Sequence, residues 1–187
     1  SIPPDEPISF RSIAKAGGGR RTLVRLGERD RRRYETAVAA AVPAVERGLS
    51  HGVIANRARP RSGGFTLEPF VKARRRYARS VAETPDSGSF RAAFLGDVHD
   101  CYGSIGPQVV SRSLRTLRVP DEAVQRIDEI LRAFHSLGVR GLPIGPEASA
   151  VLANAVLAPV DLAIAAAAAA PVFRWVDDVI AFAPDVA

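Results

Sequence analysis

The chain carries FRWVDDVIAF at residues 173–182, in which two adjacent aspartates separate two short hydrophobic runs. Runs of aromatic and β-branched residues are typical of strands, so the sequence predicts a β-hairpin with Asp177 and Asp178 at its turn. Two neighbouring carboxylates repel each other unless a cation lies between them. Oxygen ligands of this kind are those that Mg²⁺ prefers. Taken alone, the stretch favours an exposed acidic turn over a metal site. The choice between the two depends on the other segments of the chain.

A further carboxylate follows an apolar run in the middle of the chain. Residues 90–98 predict a buried strand that leads into DVHDCYGSI at 97–105. An aspartate at the end of such a strand is costly to bury unless it meets a metal or a polar partner. Because carboxylates must come close to share metals, we expect Asp97 to lie within roughly 10 Å of Asp177. Asp100 lies past the strand end and is expected to be dispensable for metal binding.

The charges of the 187 residues are unevenly distributed. The net charge is +6, and residues 1–90 hold 18 of the 26 basic residues but only 9 of the 20 acidic ones. A basic half joined to a half that concentrates carboxylates is typical of enzymes that handle nucleic acid and use metals. On its own this distribution also fits an arginine-rich surface that is merely solvated.

Composition excludes several classes of protein. The single cysteine excludes an internal disulfide and a zinc site built from cysteines, and the three histidines lack metal-site spacing. The longest uncharged runs, 148–160 and 162–173, are shorter than the roughly 20 residues of a membrane span. We therefore expect a cytoplasmic protein with no membrane partner. The chain starts with Ser1 and contains no Met, so we also expect a fragment.

The first part of the chain predicts a glycine-tipped hairpin. Strands are expected at 8–14 and 21–26, joined by a loop at 15–19 that contains three glycines. Glycines let backbone amides approach an anion closely, so Lys15 and Arg21 beside this tip are candidate triphosphate ligands. A solvated turn is equally consistent with this segment.

Two helices and a loop are predicted before residue 84. One helix begins near Glu28, is bent by Pro43 and buries Val38, Ala41, Val42, Val45 and Leu49. After a loop at 56–64, a second helix from Thr66 to about Ala82 is expected to bury Leu67, Phe70, Val71, Ala78 and Val81. Its opposite face and the loop before it are basic. The residues predicted to contact nucleic-acid phosphates are Arg57, Arg59, Arg61, Lys72, Arg75, Arg76 and Arg79.

The second part begins after turn residues at 84–89, the clearest boundary in the chain. Helices are predicted at 107–117 and 121–137, with Asp121 as the N-cap of the second. The apolar positions expected to be buried in the second are Val124, Ile127, Ile130, Leu131 and Phe134. GLPIGP at 141–146 predicts a turn into a further helix, with Pro146 at its first position.

Together these segments resemble the reverse transcriptases, in particular the bacterial group related to retron, group II intron and abortive-infection enzymes. The resemblance spans most of the chain, and its motifs fall in the order found in that family. They are Lys15 with GRRTL at 19–23, NR and PRS within 56–62, FLGDVHDCYGSI at 94–105, GLPIGPEASAVLANAVLAPVD at 141–161, and FRWVDDVIAF.

The resemblance implies an α+β fold, the fingers and palm of a right-hand polymerase, with the thumb absent from this chain. Residues 1–88 would form the basic fingers on the template and triphosphate side. Residues 89–187 would form the palm, with 119–146 on the fingers side. The palm would be an antiparallel sheet of 90–98 and the hairpin at 172–182, backed by the helices after Pro107 and Pro146.

The implied activity is RNA-directed DNA synthesis, in which dNTPs extend the 3′-hydroxyl of a DNA or RNA primer on an RNA template. Two Mg²⁺ ions, or Mn²⁺ in their place, would take part. In the family, the positions of Asp97, Asp177 and Asp178 are catalytic and bind metal together with the position of Val98. The positions that match nucleotide-binding residues are Lys15, Arg21, Tyr102 and Gly145. Tyr102 would lie beneath the incoming sugar and exclude a 2′-hydroxyl.

Two departures from the family's pattern leave alternatives open. Trp175 stands where Tyr or Phe usually precedes the aspartate pair, and Ile144 stands where most relatives carry Gln. The second is similar to the abortive-infection and defence branch, which implies a role in antiviral defence. Alternatives are a template-independent or RNA-synthesising polymerase of the same fold, or a non-catalytic nucleic-acid-binding relative. The sequence leaves the oligomeric state open.

Overall fold

A computed structural model describes residues 7–14, 18–86 and 89–184 of the chain. Within these residues the chain forms seven helices and three small antiparallel sheets, which confirms the predicted α+β class. The strands are β1 (Ser9–Ala14), β2 (Arg20–Arg25), β3 (Ala58–Arg61), β4 (Gly64–Leu67), β5 (Ala92–Asp97), β6 (Val172–Trp175) and β7 (Asp178–Ala183). The helices are α1 (Glu28–Ala39), α2 (Val42–Gly48), α3 (Phe70–Asp86), α4 (Cys101–Ser104), α5 (Pro107–Thr116), α6 (Asp121–Ser136) and α7 (Glu147–Ala168).

The predicted N-terminal hairpin is confirmed. β1 and β2 pair antiparallel, with Ser9 opposite Arg25 and Ala14 opposite Arg20. The backbone N–H of Val24 donates to the carbonyl oxygen of Ile144 at 2.8 Å. This bond fastens β2 to the turn at 141–146, so the hairpin is held against the second half of the chain.

The single bent helix predicted after Glu28 is in fact two helices. α1 ends at Ala39 and α2 begins at Val42, which places Pro43 in the first turn of α2. Proline has no N–H to donate inside a helix, so it is accommodated where a new helix begins. All five predicted apolar positions from Val38 to Leu49 are buried.

The prediction for residues 56–82 is wrong in two respects. The expected loop and the first residues of the expected helix form the β3–β4 hairpin, in which Thr66 pairs with Arg59. α3 starts only at Phe70 and continues to Asp86, past the predicted start of the boundary turn.

α3 also buries a different face from the predicted one. Phe70 and Val71 are 69% and 60% exposed, whereas Ala73 and Tyr77 are buried. The helix packs against β6, where Tyr77 contacts Trp175. Contact with the sheet therefore buries Ala73 and Tyr77 of α3. Helical spacing alone does not predict which face of the helix makes this contact.

The central sheet has the strand order β5-β7-β6 and is antiparallel, as predicted. β5, however, is an exposed edge strand and not a buried one, with Phe94 59% and Leu95 80% exposed. It pairs only with β7, and α7 packs on β6 and β7. The sheet is thus backed by α7 and α3, while α5, which was expected behind it, packs against α6 and α7.

The main hydrophobic core lies among the helices and draws on both halves of the chain. α1 packs against α6 and α7, and Tyr34 meets Phe134 edge to face at 5.4 Å between ring centroids. The predicted apolar positions of α6 are buried. Asp121 is the first helical residue after Pro120 and makes no capping hydrogen bond, so its prediction as N-cap is wrong. Pro146 in turn occupies the N-cap position of α7 and not its first helical position.

α7 is long and apolar enough to cross a membrane by length and composition. The helix continues through Asp161, so the two uncharged runs of the sequence, each shorter than a membrane span, do not limit its length. Half of its most apolar 18-residue window is buried inside the protein. Burial accounts for the apolar residues of the first part of the helix, whereas Val160 and Leu162 are 46% and 55% exposed.

A candidate metal-binding cleft

Three carboxylates meet at one end of the central sheet. Asp97 ends β5 and is paired with Asp178, which begins β7, while Asp177 lies in the turn between β6 and β7. One carboxylate oxygen from each lies within 4.8 Å of the others. The predicted proximity of Asp97 to the hairpin is therefore confirmed. It follows from strand register, because residues directly opposite in an antiparallel pair have side chains on the same face about 5 Å apart.

The turn that carries Asp177 has an unusual backbone. Val176 adopts a left-handed conformation with φ of +61°, which is uncommon for a β-branched residue. The N–H of Val98 donates to the carbonyl oxygen of Asp177 at 3.2 Å, which closes the end of β5 onto the turn. The bend directs the two aspartates toward the end of β5.

The charges in this cluster are only partly compensated. Burial raises the pKa of Asp178, the carboxylates of Asp177 and Asp97 raise it further, and the guanidinium of Arg74 lowers it. Hard oxygen donors at this spacing fit Mg²⁺ or Mn²⁺, and a bound cation would relieve the mutual repulsion. The three aspartates thus suit the predicted metals.

An open cleft of about 570 Å³ surrounds the carboxylates. Arg20 and Arg21 of β2 line it on one side, and Gly145 lines it from the turn before α7. The predicted site residues that share this cleft are Arg21, Asp97, Val98, Tyr102, Gly145, Asp177 and Asp178. Lys15 lies outside the described residues.

Tyr102 lies in α4, five residues after Asp97 at the end of β5. Its carbonyl oxygen accepts a hydrogen bond of 2.8 Å from the N–H of Leu142, which ties α4 to the turn at 141–146. Burial raises the pKa of Tyr102 to about 12, with Cys101 and Asp177 contributing. Burial likewise raises the pKa of Cys101 to about 11. At neutral pH both the phenol of Tyr102 and the thiol of Cys101 therefore stay protonated.

Asp100 stays out of the carboxylate cluster. It precedes α4 in a left-handed conformation with φ of +46°, and its carboxylate lies over Gly103. It is not among the three aspartates whose oxygens come together. This placement agrees with the expectation that Asp100 is dispensable for metal binding.

The basic residues predicted to contact nucleic acid fall into two groups. Arg57 pairs with Glu46 at 2.7 Å, and Arg76 pairs with Glu68 at 2.7 Å, so both guanidinium groups are engaged by the protein. Lys72 lies 3.8 Å from Glu68. The other members of the set, Arg59, Arg61, Arg75 and Arg79, are exposed. Phosphate contact remains a prediction, and these four are the better candidates for it.

Sequence reasoning gave no role to Arg74. Its guanidinium lies 5.4 Å from the ring centroid of Tyr77 and 5.2 Å from that of Trp175. Phe70 meets the same Trp175 edge to face at 5.4 Å. The spacing of Arg74 and Tyr77 on a helix could have indicated the first contact, but the second depends on how α3 packs against β6.

Sequence reasoning also missed a buried polar network behind the carboxylates. Arg174 of β6 and Asp161 of α7 are 2% and 3% exposed and form an ion pair. Asn154, also on α7, is 2% exposed and is bonded to the same arginine. One signal was present in the sequence, because a lone charge in an apolar strand and another in an apolar helix must find partners if both are buried.

Comparison with protein-family models and with curated proteins finds no match for this chain.

Proposed function

We propose that this chain is the fingers and palm region of a reverse transcriptase, an RNA-directed DNA polymerase that transfers nucleotides from dNTPs to a primer 3′-hydroxyl. The observation that carries the proposal is the meeting of Asp97, Asp177 and Asp178 in one cleft. An acidic turn without a function would not need a third carboxylate from a strand 80 residues earlier in the chain. The motifs that resemble the bacterial reverse transcriptases support the same assignment.

Two divalent cations bound by these aspartates would activate the attacking hydroxyl and neutralise the departing pyrophosphate. The protein's part is to hold three carboxylates at the metal-binding spacing on a paired sheet end, a placement that costs no rearrangement during the reaction. Val98 lies at the same strand end and lines the cleft. Its backbone carbonyl is the further ligand that the resemblance implies.

The basic residues of the cleft suit a triphosphate. Arg20 and Arg21 bring positive charge to a cleft whose other charged side chains are mostly carboxylates. Gly145 also lines this cleft. Tyr102 offers a neutral ring as a surface for the sugar. An RNA template and a DNA or RNA primer would be the nucleic-acid partners, and antiviral defence is the biological setting that the resemblance favours.

A template-independent polymerase of the same fold is the second candidate. The observation that favours it is Ile144, whose apolar side chain lines the cleft where most of the resembling enzymes carry glutamine. A polar contact to template or nucleotide is therefore missing from this wall.

Primer extension tests both candidates. The purified protein is incubated with labelled dNTPs and Mg²⁺ or Mn²⁺, with a primed RNA template and without any template. Synthesis that needs the RNA supports the first candidate, and synthesis without it supports the second. Asp97→Asn should reduce incorporation to background while Asp100→Asn, a matched change three residues away, should retain it. An active Asp97→Asn variant, or an inactive wild type under every condition, would contradict the proposal.

A further inference from the structure

The side chain of Arg174 is fully engaged by buried partners. Its Nε lies 2.8 Å from Oδ1 of Asp161, and its Nη2 lies 3.0 Å from Oδ2 of the same carboxylate. A buried ion pair contributes little net stability unless its remaining donors and acceptors are also satisfied. The other hydrogen bonds of Arg174 therefore indicate which parts of the chain this ion pair holds in place.

The third nitrogen of Arg174 reaches the catalytic turn. Nη1 donates to the carbonyl oxygen of Val176 at 2.7 Å and to Oδ1 of Asn154 at 2.9 Å. Asn154 in turn donates through Nδ2 to the carbonyl oxygens of Ala55 and Asn56, both at 3.2 Å. One connected set of hydrogen bonds thus runs from the hairpin turn to the segment before β3.

Both ends of this network are residues with a left-handed backbone. Val176 has φ of +61° and Asn56 has φ of +57°, and both line the cleft. A valine persists in this conformation only where its surroundings impose it, and such residues concentrate at functional sites. The bond from Arg174 to the carbonyl of Val176 is a direct means of imposing it.

The main chain of Arg174 reinforces the same arrangement. Its N–H donates to the carbonyl oxygen of Gly52 at 2.9 Å, and its carbonyl accepts from the N–H of Ile54 at 3.1 Å. A side chain at position 52 would collide with the backbone at Val172. The segment 52–56 is therefore fastened to β6 and to the network at once.

We propose that Arg174, held by Asp161 and Asn154, is a positioning residue for the metal-binding carboxylates. By keeping Val176 left-handed it directs Asp177 and Asp178 toward Asp97, and through Asn154 it holds Asn56, which also lines the cleft. Its effects on catalysis and on metal affinity rest on the proposed function, whereas its effect on the turn does not.

Arg174→Lys is the decisive variant. Lysine keeps a positive charge opposite Asp161, but a single ammonium group cannot replace the planar fork that bonds Asp161, Asn154 and Val176 simultaneously. The matched control is Arg132→Lys, since Arg132 also pairs with an aspartate, Asp128, but on the exposed side of α6.

Three measurements distinguish positioning from plain stabilisation. Mn²⁺ affinity is measured by electron paramagnetic resonance, backbone amide exchange is followed at Asp177 and Asp178, and kcat and KM are measured for dNTP incorporation. Loss of a hydrogen bond from a charged donor corresponds to a factor of about 10 or more. We therefore expect the Mn²⁺ dissociation constant of Arg174→Lys to rise about tenfold. Exchange at the turn should accelerate, and kcat should fall while KM changes little. Arg132→Lys should leave all three at wild-type values.

A folded Arg174→Lys protein with wild-type Mn²⁺ affinity and turn exchange would overturn the inference. If this variant does not fold, Asn154→Ala tests the positioning role in its place, because it leaves the Arg174–Asp161 pair intact. Weaker Mn²⁺ binding and faster turn exchange in Asn154→Ala would support positioning, and unchanged values would refute it. A wild type that binds Mn²⁺ but incorporates no nucleotide would refute the polymerase proposal alone, because the two binding readouts remain valid.

Discussion

Gly145 lies in the turn before α7, where it joins the two sides of the cleft. Its φ is +137°, a value that side-chain-bearing residues rarely adopt, and a Cβ added there would lie 3.1 Å from the carbonyl oxygen of Val24. Val24 is the residue whose N–H bonds Ile144. We predict that Gly145→Ala both strains the turn and displaces β2, the strand that carries Arg21.

Comparison with a second glycine separates the stability lost in Gly145→Ala into two parts. Gly138 has φ of +89°, and a Cβ added there would meet nothing within 4 Å. Gly138→Ala should therefore cost only the backbone strain, about 1 to 3 kcal/mol. Gly145→Ala carries a similar cost plus weakening of the Val24–Ile144 hydrogen bond, about 0.5 to 1.5 kcal/mol more. For a chain of this size, 1 kcal/mol corresponds to about 2 to 4 °C in Tm.

Thermal unfolding followed by circular dichroism measures this difference. Gly145→Ala should melt a few degrees below Gly138→Ala, by about 2 to 4 °C for 1 kcal/mol. Its KM for dNTP should also rise, because Arg21 moves with β2, whereas Gly138→Ala should leave KM unchanged. Equal melting temperatures together with equal KM values in the two variants would refute the role assigned to the contact between the turn and β2.

Three further predictions follow from the cleft and its surroundings. Tyr102→Ala should raise rNTP incorporation relative to dNTP by about 5- to 150-fold, because the ring leaves a 2′-hydroxyl unpaired; unchanged discrimination between rNTP and dNTP would place the gate elsewhere. Arg75→Glu with Arg79→Glu should weaken RNA binding measured by fluorescence anisotropy and flatten its salt dependence, by about 0.7 log units per lost phosphate contact; an unaltered salt slope would mean that both arginines are only solvated. In protein freed of metal by EDTA, Asp178→Asn should raise Tm at pH 7, because the pKa of Asp178 is raised in the folded state and ionisation therefore costs stability as pH rises through that pKa. The advantage should vanish below about pH 3, where the carboxyl is protonated in both folded and unfolded chains, and an advantage that persists there would have another origin.

Local patterns in the sequence predicted the elements that depend on neighbours along the chain. The helical spacing of Val124, Ile127 and Leu131 predicted α6 and its buried face, and the apolar runs around Asp177 predicted the β6–β7 hairpin. Asp97 was expected beside the hairpin because carboxylates that share metals must lie close together, and the resemblance implies the same arrangement. The identity of the three carboxylates was thus available before any coordinates.

Tertiary packing decided what local spacing leaves open. α3 has more than one apolar stripe, and its contact with β6 selected Ala73 and Tyr77 for burial. β5 has the composition of a buried strand. Within the described residues it pairs with β7 on one side and with no strand on the other, which makes it an edge strand. The Arg174–Asp161 pair shows the reason most plainly: a charge can be buried only when another element supplies its partner, and which element does so is a property of the fold and not of any segment of sequence.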